Sequence, residues 1–249
     1  MFGGDLKRNC TIDIDGILNA SGKNPAKYDL NLSLQSFAKR CDYSRLNYHE
    51  LQKYSTEEKL ILERSGMRFT EGGDVFPQRQ YYEANTIALA QNLHAACDSI
   101  PLMMTFLLGR PKLNNKEFSE TKIGWNRETL KYLETTSSSN QKLLLIFKRF
   151  SANEDFLILK NLVNHSKHKF LIRILNDGSS INFEKITYYP QAWRGGPSLR
   201  RSVILNEFGM ATVENLNVVE FMRRCHNNLL PRLYLLVSRM HEAQRTIHF

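Results

Sequence analysis

The chain has 249 residues, of which 42% are hydrophobic, 10% aromatic and 24% charged, an ordinary globular composition that excludes collagen, low-complexity disorder and a disulfide mini-scaffold. Its 34 Lys and Arg against 25 Asp and Glu leave a net charge of +9, a surplus that favours an anionic partner such as nucleic acid. Cys10, Cys41, Cys97 and Cys225 lie far apart without a C-x-x-C pair, which argues against a zinc knuckle or a disulfide framework and leads us to expect reduced thiols in a cytoplasmic protein.

The N-terminal MFGGDLKRNC lacks the apolar centre of a secretory leader. The most apolar run, Ile100 to Leu108, is about half the length of a membrane span and contains Pro101. We therefore expect a soluble protein with no membrane partner.

Residues 1–40 alternate little and carry Gly3, Gly4, Gly16, Gly22 and Pro25, a pattern read as a strand- or loop-rich N-terminal arm. Ser55 and Glu58 form a capping box for a short helix that stops at Gly66. Pro77 introduces a long helix over about Gln78 to Leu108, which Pro101 should kink or split. Asn126 can cap a helix from Arg127 to about Glu134, residues 135–140 form a short linker, and apolar helix resumes from Lys142 to Phe150. A second capping box, Ser151 with Glu154, predicts a helix through about His168 with Phe156, Leu159 and Val163 facing the core.

The period then changes. Phe170 to Ile174, the turn Asn176-Asp177-Gly178 and the alternating Ile181 to Tyr189 predict a β-hairpin. A loop over 190–201 leads to a strand at Val203 to Leu205. The chain closes with a long amphipathic helix capped by Asn217 with Glu220, bent at Pro231.

Two polar clusters sit on these helices. In the long helix Gln91, His94 and Asp98 line one face, and Asp98 is one turn beyond His94, where a carboxylate can fix the imidazole tautomer. A solvated stripe or a helix-tying pair is the structural alternative. The second cluster is Asn164 to Lys169. The window from Lys142 to Arg173 holds seven basic and two acidic residues, net +5, a patch suited to gripping a phosphodiester beside an imidazole. A solvated helix end explains the same composition equally well. No H-E-x-x-H, P-loop, G-x-G-x-x-G or G-x-S-x-G pattern is present, so neither a metal nor a cofactor is expected.

The stretches EANTIALAQNLHAACDSIPLMMTFLL (Glu83 to Leu108) and FLILKNLVNHSKHKFLI (Phe156 to Ile172) resemble two signatures, Q-x-L-H-x-x-x-D and a helix ending N-x-x-K-H-R, of bacterial proteins similar to the HEPN superfamily. The resemblance implies a mainly α fold, an antiparallel HEPN-like helical bundle over 41–249 with a β-hairpin inserted at about 169–206, before the last helix. It also implies a homodimer acting on RNA in a bacterial defence or toxin–antitoxin module, beside an antitoxin or other partner protein. Many members are metal-independent endoribonucleases with an R-x4–6-H signature. On this chain His168 takes the histidine place, Asn164 the polar place and Val163 the arginine place. Two readings follow. In one, His168 is the acid–base of an endoribonuclease, Asn164 orients the phosphate, Lys160, Lys167 and Lys169 bind nucleic acid, and His94 with Asp98 lies across the cleft. In the other, the chain is a catalytically degenerate subunit that binds nucleic acid or a partner protein.

Overall fold

The computed structural model describes residues 12–54, 78–108, 112–113, 116–117, 120–136, 141–168, 174–176, 181–188 and 211–244. They are mainly helical and fall into two compact units, the first drawn from 1–41, 95–151 and 230–249, the second from 42–94 and 152–229. Helices α1 (Ile14–Ala20), α2 (Lys27–Tyr54) and α3 (Gln78–Leu107) are followed by β1 (Lys112–Leu113), β2 (Lys116–Glu117) and a 3-10 turn. Helices α4 (Arg127–Thr136), α5 (Gln141–Ser151) and α6 (Glu154–His168) precede the strands β3 (Ile174–Asn176), β4 (Ile181–Phe183), β5 (Ile186–Tyr188), β6 (Ala211–Val213) and β7 (Leu216–Asn217). Helix α7 (Val218–Arg224), a π-turn (Cys225–Leu229) and helix α8 (Leu230–Gln244) follow.

The strand- or loop-rich reading of the N-terminal arm is corrected over its described residues, 12–40, which hold α1 and the first half of α2. Asp13 caps α1 by accepting from the Gly16 amide at 2.8 Å. A Cβ at Gly16 would stand 2.2 Å from that carboxylate, so the glycine is what lets the cap close. Leu30, Leu34, Phe37, Cys41, Ser44, Tyr48 and Leu51 recur every three or four residues along α2, and all are buried. The expected helix over 55–66 and the strand at 203–205 lie outside the described residues.

In the first unit, α1 and α5 pack on α8, and Phe37 meets Tyr234 edge-on at 6.0 Å. Helix α3 runs through Pro101 as one element. Proline has no N–H, so the carbonyl of Cys97 four residues earlier loses its helical donor. Trp125 replaces it, its indole Nε1 donating to the Cys97 oxygen at 3.0 Å, while its ring stacks on Phe147 at 4.5 Å. The end of α3 is closed in the same way. Buried Asn24 donates to the Phe106 and Leu107 carbonyls at 2.9 and 3.1 Å, groups that a helix terminus leaves without partners.

In the second unit, α6 carries Phe156, Leu157, Ile158, Leu159, Leu162 and Val163 into the core and packs against β5 and the π-turn. Its cap is Asn153, whose Oδ1 accepts from the Phe156 amide at 3.1 Å. Ser151 instead ends α5, its hydroxyl donating to the Lys148 carbonyl, so the expected Ser151–Glu154 box is not the device used. Asn126 does cap α4, accepting from Thr129 N at 2.8 Å.

The expected hairpin is present as β3 antiparallel to β4, with Leu175 opposite Asn182. It is more elaborate than the sequence pattern implied. The stretch 181–189 divides at Glu184-Lys185 into β4, which also pairs β7, and β5, which pairs β6. Asn215, at φ 54°, turns the chain between β6 and β7. Asn217 then caps α7 by accepting from Glu220 N at 3.0 Å, as its spacing predicts. The closing helix is interrupted by the π-turn just before Pro231. Proline there supplies no N–H to the Asn227 carbonyl and its ring crowds that oxygen, which a widened turn relieves.

Candidate functional site

Helix α3 holds the first predicted cluster, and its three members do not share one environment. Gln91 is exposed, His94 is buried at 3% exposure, and Asp98 is half-exposed. His94 belongs to the second unit and Asp98 to the first. The expectation of a solvated stripe is thereby corrected at His94.

The second cluster occupies the C-terminal turns of α6 in the second unit. Lys160 and Asn164 are half-exposed on successive turns. His168 is the last helical residue; the side chains of His165, Lys167 and His168, and all of Lys169, lie outside the described residues. Val163, between Lys160 and Asn164 in sequence, is 0% exposed. A guanidinium there would be taken out of water inside an apolar stripe, at a cost of several kcal/mol unless paired.

The structure assembles a third group that sequence reasoning missed, all of it in the second unit. Tyr48 of α2 and His226 of the π-turn stack with centroids 3.9 Å apart and planes 12° from parallel. His49 stands 6.4 Å from His226, centroid to centroid. The amide oxygen of Asn227 can only accept, so the 2.9 Å contact makes His226 Nδ1 the donor and leaves the lone pair on Nε2. Burial lowers the His226 pKa from 6.5, the Asn227 bond raises it, and the charges of His49 and Arg45 lower it further, for a net shift downward. His226 is therefore held as neutral imidazole. The only sequence trace of this group was the polar run His226-Asn227-Asn228 inside an apolar helix pattern.

Beneath it the chemistry is structural. Arg224 pairs with Asp155 at 3.1 Å and lies over the Phe221 ring. Burial, reinforced by Asp155 and opposed by Arg224, pushes the Cys225 thiol well up, which keeps it an inert core group. Cys41, Cys97 and Cys225 are free and buried. Among the described residues no cluster of three or more His, Cys, Asp or Glu could hold a metal ion, and no helix is long and apolar enough to cross a membrane.

Comparison with known families, curated proteins and solved structures finds no match to this chain.

Proposed function

We propose that the chain is an RNA-directed, HEPN-like protein of a bacterial defence or toxin module, whose helix α6 grips phosphate and does not cut. The observation that carries this reading is the complete burial of Val163. The arginine of the R-x4–6-H signature would stabilise charge on phosphorus, and an apolar side chain in the core cannot do so. Lys160 and Asn164, half-exposed on the same helix, remain suited to contacting a phosphate backbone, with Lys167 and Lys169 extending the charge. The +9 net charge supports the same partner. A homodimer and a partner protein of the module belong to this proposal through the resemblance alone.

Fluorescence anisotropy with a labelled single-stranded RNA tests it. Counterion release gives a slope of about −0.7 per phosphate neutralised, so three lysine contacts predict about 20-fold weaker binding at 200 mM than at 50 mM salt. Lys160→Glu with Lys167→Glu should weaken binding further in a protein of unchanged melting temperature. Affinity indifferent to both changes refutes the reading.

A further inference from the structure

Within the second unit, α2 meets the π-turn face to face through two rings. Tyr48 of α2 is buried, His226 of the π-turn is half-exposed, and their planes lie 12° from parallel with centroids 3.9 Å apart. The backbone behind His226 holds itself poorly. The π-turn has left the regular helical ladder, and Pro231 supplies no N–H to the Asn227 carbonyl. The ring stack therefore carries an unusually large share of what keeps this segment against α2.

One partner of that stack can change its charge, and its neighbours oppose the change. From α2, His49 stands 6.4 Å from His226, centroid to centroid, and the charges of His49 and Arg45 both act against an imidazolium. Asp42 offsets Arg45 only in part, across a contact of 3.4 Å. The α6 carboxylate that reaches the π-turn, Asp155, is engaged by Arg224 of α7 at 3.1 Å, and the Glu220 and Arg223 of α7 close on each other at 2.7 Å. We infer that Tyr48 and His226 form a pH-gated clasp between α2 and the π-turn, closed while the imidazole is neutral and opened when it takes up a proton. The clasp does not depend on what α6 binds.

Two effects favour the charged ring where it stands. The bond to Asn227 survives protonation, because Nδ1 donates in both states, and an imidazolium is attracted to a tyrosine face, weakly where the cation keeps part of its hydration. Against them stand the burial of the ring and the two cationic neighbours, burial being the largest influence, and the folded pKa lies below 6.5. The direction follows. The clasp is complete above pH 6.5, where His226 is neutral in both states, and weakens as pH falls toward the folded pKa. Over that window the ratio of open to closed rises by at most about tenfold per pH unit, and below the folded pKa it levels off.

Hydrogen exchange read by mass spectrometry on the full chain at pH 7.5 and pH 5.5, corrected for the intrinsic pH dependence of amide exchange, tests the clasp. Peptides covering 45–52 and 225–229 should open severalfold more at the lower pH, while peptides of α5 in the first unit change little. His226→Phe keeps a ring on Tyr48 and cannot protonate, so its exchange in both segments should be independent of pH. His49→Gln, an exposed change, removes one opposing charge and should shrink the pH effect. A histidine proton titration by NMR on wild type needs no variant and should place His226 below 6.5. Four results would overturn the inference: protection of the two segments that does not vary with pH, a pH effect retained in full by His226→Phe, tighter protection at pH 5.5, or titration of His226 at or above 6.5. Either of the last two would mean that Tyr48 holds the imidazolium better than the neutral ring.

Discussion

Replacing Val163 with arginine puts the assignment of α6 under direct strain. Val163 is 0% exposed, with Leu159 and Leu162 of the same helix also buried. An unpaired guanidinium at such a site costs about 3–5 kcal/mol, to which overpacking adds. For a chain of this size each kcal/mol lowers Tm by about 2–4 °C, so Val163→Arg should melt about 6–20 °C below wild type. Val163→Ala calibrates the site: two lost methyl equivalents plus a small cavity cost about 2 kcal/mol, or about 4–8 °C. Thermal melting followed by far-ultraviolet circular dichroism reads both. If Val163→Arg melts within about 2 °C of wild type, the side chain has a route to solvent and the argument from burial fails. If that folded variant also gains RNA cleavage, α6 is the catalytic helix and its assignment as a phosphate grip is wrong.

Three further outcomes follow from local chemistry. Trp125→Phe keeps the stack but strips the donor from the Cys97 carbonyl, costing about 1–3 kcal/mol; in a Pro101→Ala background the helix regains its own N–H and the cost should shrink, so strictly additive costs in denaturant melts would contradict the account. Asn153→Ala and Asn217→Ala should each cost about 1 kcal/mol through loss of a helix cap, and a neutral Asn153→Ala would return the cap to Ser151. His226 has a folded pKa depressed below 6.5, so its contribution to stability is complete above that value and is lost as pH falls through the folded pKa. The stability of wild type relative to His226→Phe should therefore decline between pH 7.5 and pH 5, and a difference that does not vary with pH refutes the burial and charge argument.

The parts of the fold set by local pattern were legible in the sequence. Asn126 and Asn217 announce their helices because a side-chain acceptor must sit where the first free amides are. The period-2 stretch after Asn176-Asp177-Gly178 announces strands for an equally local reason. Helix α2 was obscured because the glycines and Pro25 that belong to the turns before it diluted a stripe that is otherwise regular from Leu30 to Leu51. Pro101 pointed to a break because the remedy, an indole from Trp125, comes from another segment. The split of β4 from β5 likewise depends on partners, β7 and β6, that lie far along the chain. Candidate sites followed the same division. Spacing along α3 and α6 suggested sites because residues one turn apart must be neighbours, but burial of His94 and Val163 is a property of packing. The approach of His49 to His226 joins residues distant in sequence and leaves no periodic trace.

The most direct measurement is anisotropy of a labelled single-stranded RNA at 50 and 200 mM salt, on wild type and on Lys160→Glu with Lys167→Glu at equal amounts of folded protein. Wild type should bind about 20-fold more weakly at the higher salt, and the double variant should bind more weakly still with a shallower salt slope. Equal affinity and equal slope in the two proteins would contradict the assignment of α6 as a phosphate grip.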